Sequence, residues 1–260
     1  MHTHTAQVDG LTFQYRNAPE FDLLAQEIFE GGEYEFPCGT DAPVILDCGS
    51  HIGLSVAWFK RRFPRARITA FEPDPQNFEL LEANVVVNGF GDVELLNVAL
   101  SSERGTARFY GQFKAEAPMA SSHSLKEDWG TQRTKSWILV PTVPLGDYIT
   151  GPVDYLKLDI EGMELEVLRS IASRLQLVKA LGLEFHGTGG TAESDEEEIL
   201  RLLRENGFEV EISRKPRDIF PSEIDGWVSR VQPYMSVIKA IRSAQPAASA
   251  AGTPGSSARR

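Results

Sequence analysis

The run Val44-Ile-Leu-Asp-Cys-Gly-Ser50 constrains this chain most: it is apolar, carries one acid, breaks at a glycine, and leads into the helical pattern GLSVAWFKRRF, which closes at Pro64. A buried strand, a tight turn and a helix in that order predict the first unit of an alternating α/β domain. The order then repeats. ARITAFEP reads as a second buried strand ending at Glu72, and Asp74-Pro75 supplies an N-cap and first-turn proline for a helix through Leu80, Leu81 and Val85. VELLNVALS reads as a third strand and RFYG as a short further segment. VDYLKLDI is another strongly apolar strand, followed by a helix with Leu165, Leu168, Ile171 and Leu175 on one face, and then by the strand VKALGLEF. SDEEEILRLLRENG carries a capping-box pattern at Ser194 and Glu197, while FEVEIS and YMSVIKAI are expected to pair antiparallel at a sheet edge. Strands alternating with helices imply a mostly parallel sheet.

Ligands of such sheets bind beyond the carboxyl ends of the strands. What stands there decides the chemistry. The first strand ends in Asp47-x-Gly49-Ser50-His51-x-Gly53, the second in Glu72, a later one in Asp159-x-Glu161-Gly162, and the next in Glu184-Phe-His186. The glycines permit a tight turn and close approach of a ligand, but their spacing is not G-x-G-x-x-G, and an acid directly before the turn is a poor neighbour for a pyrophosphate. It suits a cation. S-adenosylmethionine carries an ammonium and a sulfonium, has no phosphate, and keeps a ribose that Glu72 is placed to hold. Ser50 and His51 are expected to reach the methionine portion, with Asn77 and Asp92 nearer the ribose or adenine; His51 has the alternative of capping the following helix.

At these residues the chain resembles the FkbM-type methyltransferases. The matching segments are VILDCGSHIG, FEPDPQNFELLEANVVVN, VALSS, VDYLKLDIEGMELEVL, LGLEFH and a late ENGF, from about Val44 to Phe208. The most distinctive is K-x-D-x-E-G-x-E, here Lys157, Asp159, Glu161, Gly162 and Glu164. The resemblance implies a class I methyltransferase fold, a Rossmann-like seven-stranded sheet with an antiparallel last strand. It also implies S-adenosylmethionine as cofactor and, usually, O-methylation of a secondary metabolite or sugar hydroxyl. Founding members act on macrolide polyketides, and length and layout favour that class here, with glycans as the alternative.

For catalysis, His186 is the leading general base because imidazole titrates near neutral pH, with Asp159 its rival and Glu161 holding the loop between them. Asp159, Glu161, Glu184 and His186 also include metal-ligating types, but no spacing dictates a ligand geometry, and no metal is assigned. Two other functions share the fold: a nicotinamide-dependent oxidoreductase and a noncatalytic interaction module.

The net charge of −11 argues against nucleic acid as substrate, since phosphate binding is driven by Lys and Arg. No stretch reaches the roughly 20 apolar residues of a membrane span, and MHTHTAQVDG lacks a signal-peptide pattern, so a cytoplasmic enzyme acting on a small hydroxylated molecule is expected. Cys38 and Cys48 form no ligand array, and Cys48 is expected to pack as a hydrophobe. The expected organisation is an N-terminal helical extension over 1–40, with a helix at Pro19 to Phe29, a methyltransferase domain over 41–243, and a disordered Ala/Gly/Pro/Ser tail over 244–260. From Phe113 to Ser136 periodicity fades into a polar loop containing Ser122 and His123, either a closing lid or a surface excursion.

Overall fold

A computed structural model of the chain describes residues 3–111, 113, 123–127, 136–187, 193–216 and 234–242. The central feature is a seven-stranded sheet. Its strands are β3 (Val44–Cys48), β4 (Arg67–Phe71), β5 (Val93–Leu96), β9 (Val153–Leu158), β10 (Val178–Gly187), β11 (Phe208–Pro216) and β12 (Tyr234–Arg242), in the order β11-β12-β10-β9-β3-β4-β5. β3 pairs in parallel with β4 and β9, and β12 runs antiparallel to both β10 and β11. The expected parallel sheet with an antiparallel last strand is therefore present. β11 and β12 pair antiparallel as expected, with β11 at the sheet edge and β12 between it and β10.

Helices cover both faces. On one side lie α1 (Ala18–Glu30), α2 (Leu54–Arg62) and α3 (Pro75–Val87), whose Phe21, Phe59 and Leu81 pack with Ile45, Ile68 and Tyr155 of the sheet. On the other, α4 (Glu164–Ser170) and α5 (Glu193–Glu205) bury Leu168, Ile199 and Leu203 against Leu156, Leu158, Leu183 and Ile238. The central strands are mainly apolar, as a doubly covered sheet requires, and Asp47, Lys157, Glu184 and His186 interrupt them near their carboxyl ends.

Local signals explain several boundaries. Asn17 caps α1 by accepting from the Glu20 amide. Asp74 caps α3 by accepting from Gln76 and Asn77, with Pro75 in the first turn, as its sequence predicts. α5 begins at Glu193, so Ser194 lies inside the helix rather than at its cap.

Three strands were not foreseen. β1 (His4–Val8) and β2 (Leu11–Tyr15) form a hairpin ahead of α1 in the segment expected to be only helical. Phe13 from this hairpin is 0% exposed and joins the same core as α2 and α3. β8 (Trp137–Pro144) pairs with β6 (Ala99–Ser101) and β7 (Gly105–Tyr110) in a separate three-stranded sheet. VELLNVALS is thus two strands in two sheets, divided at Asn97, whose amide donates to the carbonyls of Glu72 and Pro73 instead of continuing a ladder. Most of the 113–136 loop, the turn after Gly187 and the 244–260 tail lie outside the described residues.

Candidate active site

The carboxyl ends of β3, β4, β9 and β10 converge beside the turn Cys48 to Gly53. Gly49 and Gly53 have φ of 88° and 91°, a region that glycine enters without Cβ strain. A Cβ on Gly49 would stand 1.8 Å from the Asp159 carbonyl oxygen, so this glycine lets the β9 end lie directly against the cofactor turn. The Asp159 amide closes the contact by donating to the Cys48 carbonyl at 3.1 Å.

The amides of this turn are used internally. Gly49 and Ser50 both donate to the Phe71 carbonyl, Gly53 donates to Ser50, and His51 donates to Glu72 Oε2 at 2.8 Å. A phosphate cradle needs such N–H groups pointing at the ligand. Here these four are spent, which disfavours a dinucleotide and fits a phosphate-free cofactor.

Asp47 is 0% exposed; its Oδ2 accepts from Ser55 at 2.6 Å, and its Oδ1 lies 3.7 Å from Lys157 Nζ. Burial raises its carboxyl above the usual range, against the opposing pull of Lys157 and Ser55. Ser50 is 1% exposed and donates its hydroxyl to the Asp47 carbonyl, bracing the turn from within. His51 takes a positive φ of 48° and brings Nε2 to 4.0 Å from Glu20 of α1; burial lowers its imidazole, partly offset by Glu20 and Asp74. It does not cap α2, whose N-cap is Gly53.

Glu72 is buried at the end of β4. Both its oxygens accept backbone N–H groups, from His51 and from Asp74 at 2.9 Å. Burial and the neighbouring Asp74 push it up to about 8. Asn77 is buried in the first turn of α3, on the same edge. Asp92 is not: it precedes β5, and its carbonyl accepts from Ile68 at the beginning of β4, so it stands at the amino end of the strands, across the sheet from the turn. The expected ribose or adenine contact of Asp92 is corrected on that ground. Asn97, just past the end of β5, occupies the matching place on the carboxyl edge.

On the acceptor side, Asp159, Glu184 and His186 bring one ligand-type atom each within 4.8 Å of one another. Glu161 Oε1 lies 3.8 Å from His186 Nε2. Glu161 adopts a φ of 51°, uncommon for a side chain of this size, and the turn is held by Glu164, whose carboxylate accepts from the amides of Ile160 and Gly162. Glu164 is thus the brace of the turn, and α4 starts after Met163, two residues beyond Glu161. Burial, then Asp159 and Glu33, raise the Glu184 carboxyl well above the usual range. The trio has the donor types of a divalent-cation site, although the same carboxylates, with the Lys157 charge offset by Asp159 and Asp47, suit an organic cation as well.

Lys157, within β9, is 2% exposed and donates to the Gly49 carbonyl at 2.8 Å and to Asp159 Oδ2 at 3.2 Å. Burial alone would lower its pKa, but Asp159, Asp47 and Glu184 raise it above the usual lysine value. Two further groups escaped sequence reasoning in this role. His123 Nδ1 lies 2.8 Å from Asp74 Oδ2, both side chains 3% exposed, and Ser124 donates its hydroxyl to the Glu161 carbonyl at 2.6 Å. The His123-Ser124 segment therefore touches both the cofactor side and the acceptor side. Asp74 had read only as a helix cap; its second oxygen is what His123 meets.

A glycine-containing turn whose amides are internally paired, an acid at the second strand end and a carboxylate–histidine group beside it, all on this sheet order, define a class I methyltransferase. The FkbM methyltransferase domain model matches residues 47–210. This chain belongs to the FkbM methyltransferase family and is an enzyme of methyl transfer. Methyltransferase sdnD of Sordaria araneosa is 27% identical over 232 residues, 78% of this chain and 88% of the fungal protein. Hexuronic acid methyltransferase AglP of Haloferax volcanii is 30% identical over 179 residues, 67% of each chain. The structure of M. jannaschii TYW2 in complex with AdoMet matches with a TM-score of 0.51 at 11% identity, covering 92% of this chain and 84% of that one, a likeness of fold.

Proposed function

We propose that the chain is an S-adenosylmethionine-dependent O-methyltransferase acting on a hydroxyl of a macrolide polyketide or similar secondary metabolite, within the cytoplasm. The observation that carries this reading is the meeting of Asp159, Glu184 and His186 directly beside the internally bonded Gly49 turn. S-adenosylmethionine, when bound, supplies a methyl group on a positively charged sulfur. Glu72 and Asn77 would hold its ribose edge, while Asp47, Asp159 and Lys157 set the charge around its cationic end. An acceptor hydroxyl would take that methyl group, the sulfur leaving as a neutral thioether, and His186 is placed to receive the hydroxyl proton. Glu161 Oε1 lies 3.8 Å from Nε2 of that imidazole, an acid beside the charge it would acquire. Asp159 is the alternative proton acceptor. Alignment supplies roughly 7–11 kcal/mol of such a barrier, and a positioned base about 10²–10⁴ in rate.

A sugar hydroxyl is the second reading, favoured by the hexuronic acid methyltransferase relative. Nucleic acid is disfavoured by the charge of −11, and no helix among the described residues is long and apolar enough to cross a membrane. Transfer of a radiolabelled methyl group into a panel of polyketide and sugar alcohols, with mass localisation of the product, tests the proposal. Methylation of an oxygen supports it. Transfer only to nitrogen or carbon overturns O-methylation, and calorimetric binding of a nicotinamide dinucleotide without S-adenosylmethionine binding overturns the cofactor.

A further inference from the structure

We propose that Lys157 is a positioning residue for methyl transfer, whose ammonium locks the Gly49 turn to the Asp159 turn and so fixes the acids that would face a cationic donor. The inference rests on S-adenosylmethionine being that donor.

A buried lysine next to a cation-binding site is costly twice over. It loses hydration, and it repels the ligand. Its geometry shows what offsets both. Lys157 is the register partner of Asp47 on β3, so the ammonium rises between β3 and β9 at the one point where both strands turn. There it donates to Gly49, the residue whose missing Cβ admits the Asp159 backbone, and to the Asp159 carboxylate on the other side. One side chain thus ties the cofactor turn to the acceptor-side acid. The charged or titratable groups facing it are Asp47 and Cys48 from β3, Tyr155 from β9 and Asp159 just past it, Glu184 from β10, Glu72 just past β4, and Tyr34, whose ring centroid is 5.7 Å from Nζ. Asp47 and Glu184 are both pulled toward ionisation by Lys157 and pushed the other way by burial. Without the ammonium both carboxyls rise further, and the pocket holds its negative charge only at higher pH.

The test is calorimetric titration of the full chain with S-adenosylmethionine from about pH 6 to about pH 9, comparing wild type with Lys157→Met. The expected ratio of variant to wild-type Kd is about tenfold or more at low pH, the worth of a charge-assisted hydrogen bond, and shrinks as pH rises and the carboxylates ionise again. A ratio near one, or a loss that is the same at every pH, overturns the proposal, because a merely structural lysine has no pH signature. Should Lys157→Met fail to fold, Lys157→Gln, which removes the charge but keeps a polar donor, decides. Donor affinity is expected to fall at least about fivefold, and unchanged affinity overturns the proposal. Wild-type protein that does not bind S-adenosylmethionine at any pH sinks the cofactor reading itself, a result separable from either variant.

Discussion

Glu72 stands at the end of β4 with both oxygens accepting backbone N–H groups, yet burial pushes its pKa up to about 8. The folded protein therefore holds a proton that the unfolded chain releases near pH 4.5. The stability from this group is fully present below the unfolded value and is lost as pH rises toward about 8, at up to roughly 1.4 kcal/mol per pH unit. Glu72→Gln cannot titrate, so its melting temperature should decline less than that of wild type between these limits; parallel declines would count against the buried proton. Glu72→Ala also frees the amides of His51 and Asp74 and should weaken donor binding more than turnover. His186→Ala should do the reverse, leaving donor affinity unchanged while slowing turnover by about 10²–10⁴. Full activity in that variant removes His186 as the base. All three residues of that acceptor-side trio stood at strand ends in the sequence. That Glu161 faces His186, and that Asp74 faces His123, was not visible there, because each depends on turns with positive φ or on contacts between distant segments.

The turn after β3 and the hairpin on α3 show how elements depend on such residues. Gly49 and Gly89 both have positive φ, at 88° and 66°, but a Cβ on Gly89 meets nothing within 4 Å, whereas on Gly49 it meets the Asp159 carbonyl. Gly89→Ala should cost about 1–2 kcal/mol of backbone strain. Gly49→Ala adds a clash that only separation of β3 from the Asp159 turn relieves, and its cost should exceed about 4 kcal/mol in a denaturant titration. Equal costs would mean that the close approach is not holding the site. On α3, Asn84 and Asn88, one turn apart, present their amides to the β2 edge: Asn84 accepts from and donates to Gln14, and Asn88 does the same with Thr12. These two side chains stand in for a neighbouring strand. Sequence periodicity marks α3 as a helix, but it cannot show that a polar residue on it and its C-cap pair with a backbone 70 and 76 positions earlier.

At the scale of the whole molecule, the hairpin, α1 and the cofactor turn form one packed body. Asn84 Nδ2 donates to the carbonyls of both Gln14 and Ile52, joining the hairpin to the turn, and it is 2% exposed. Asn84→Ala should leave Gln14 and Ile52 groups unpaired and cost about 2–3 kcal/mol, read as a lower denaturation midpoint; a loss within about 0.5 kcal/mol would show that water replaces the amide. The alternation of apolar runs and helical patterns from Val44 onward by itself determined the doubly covered parallel sheet. The position of acids and histidine after those runs determined at which sheet edge they gather. Both follow from local periodicity, which burial imposes residue by residue. Tertiary structure alone decided that Asp92 lies at the far end of the sheet, that VELLNVALS divides between two sheets, that the N-terminal hairpin shares the core, and that Lys157 faces into the site rather than away from it. Those outcomes depend on which segments meet across the chain, and a carboxylate or an ammonium takes its role from the partner that packing brings to it.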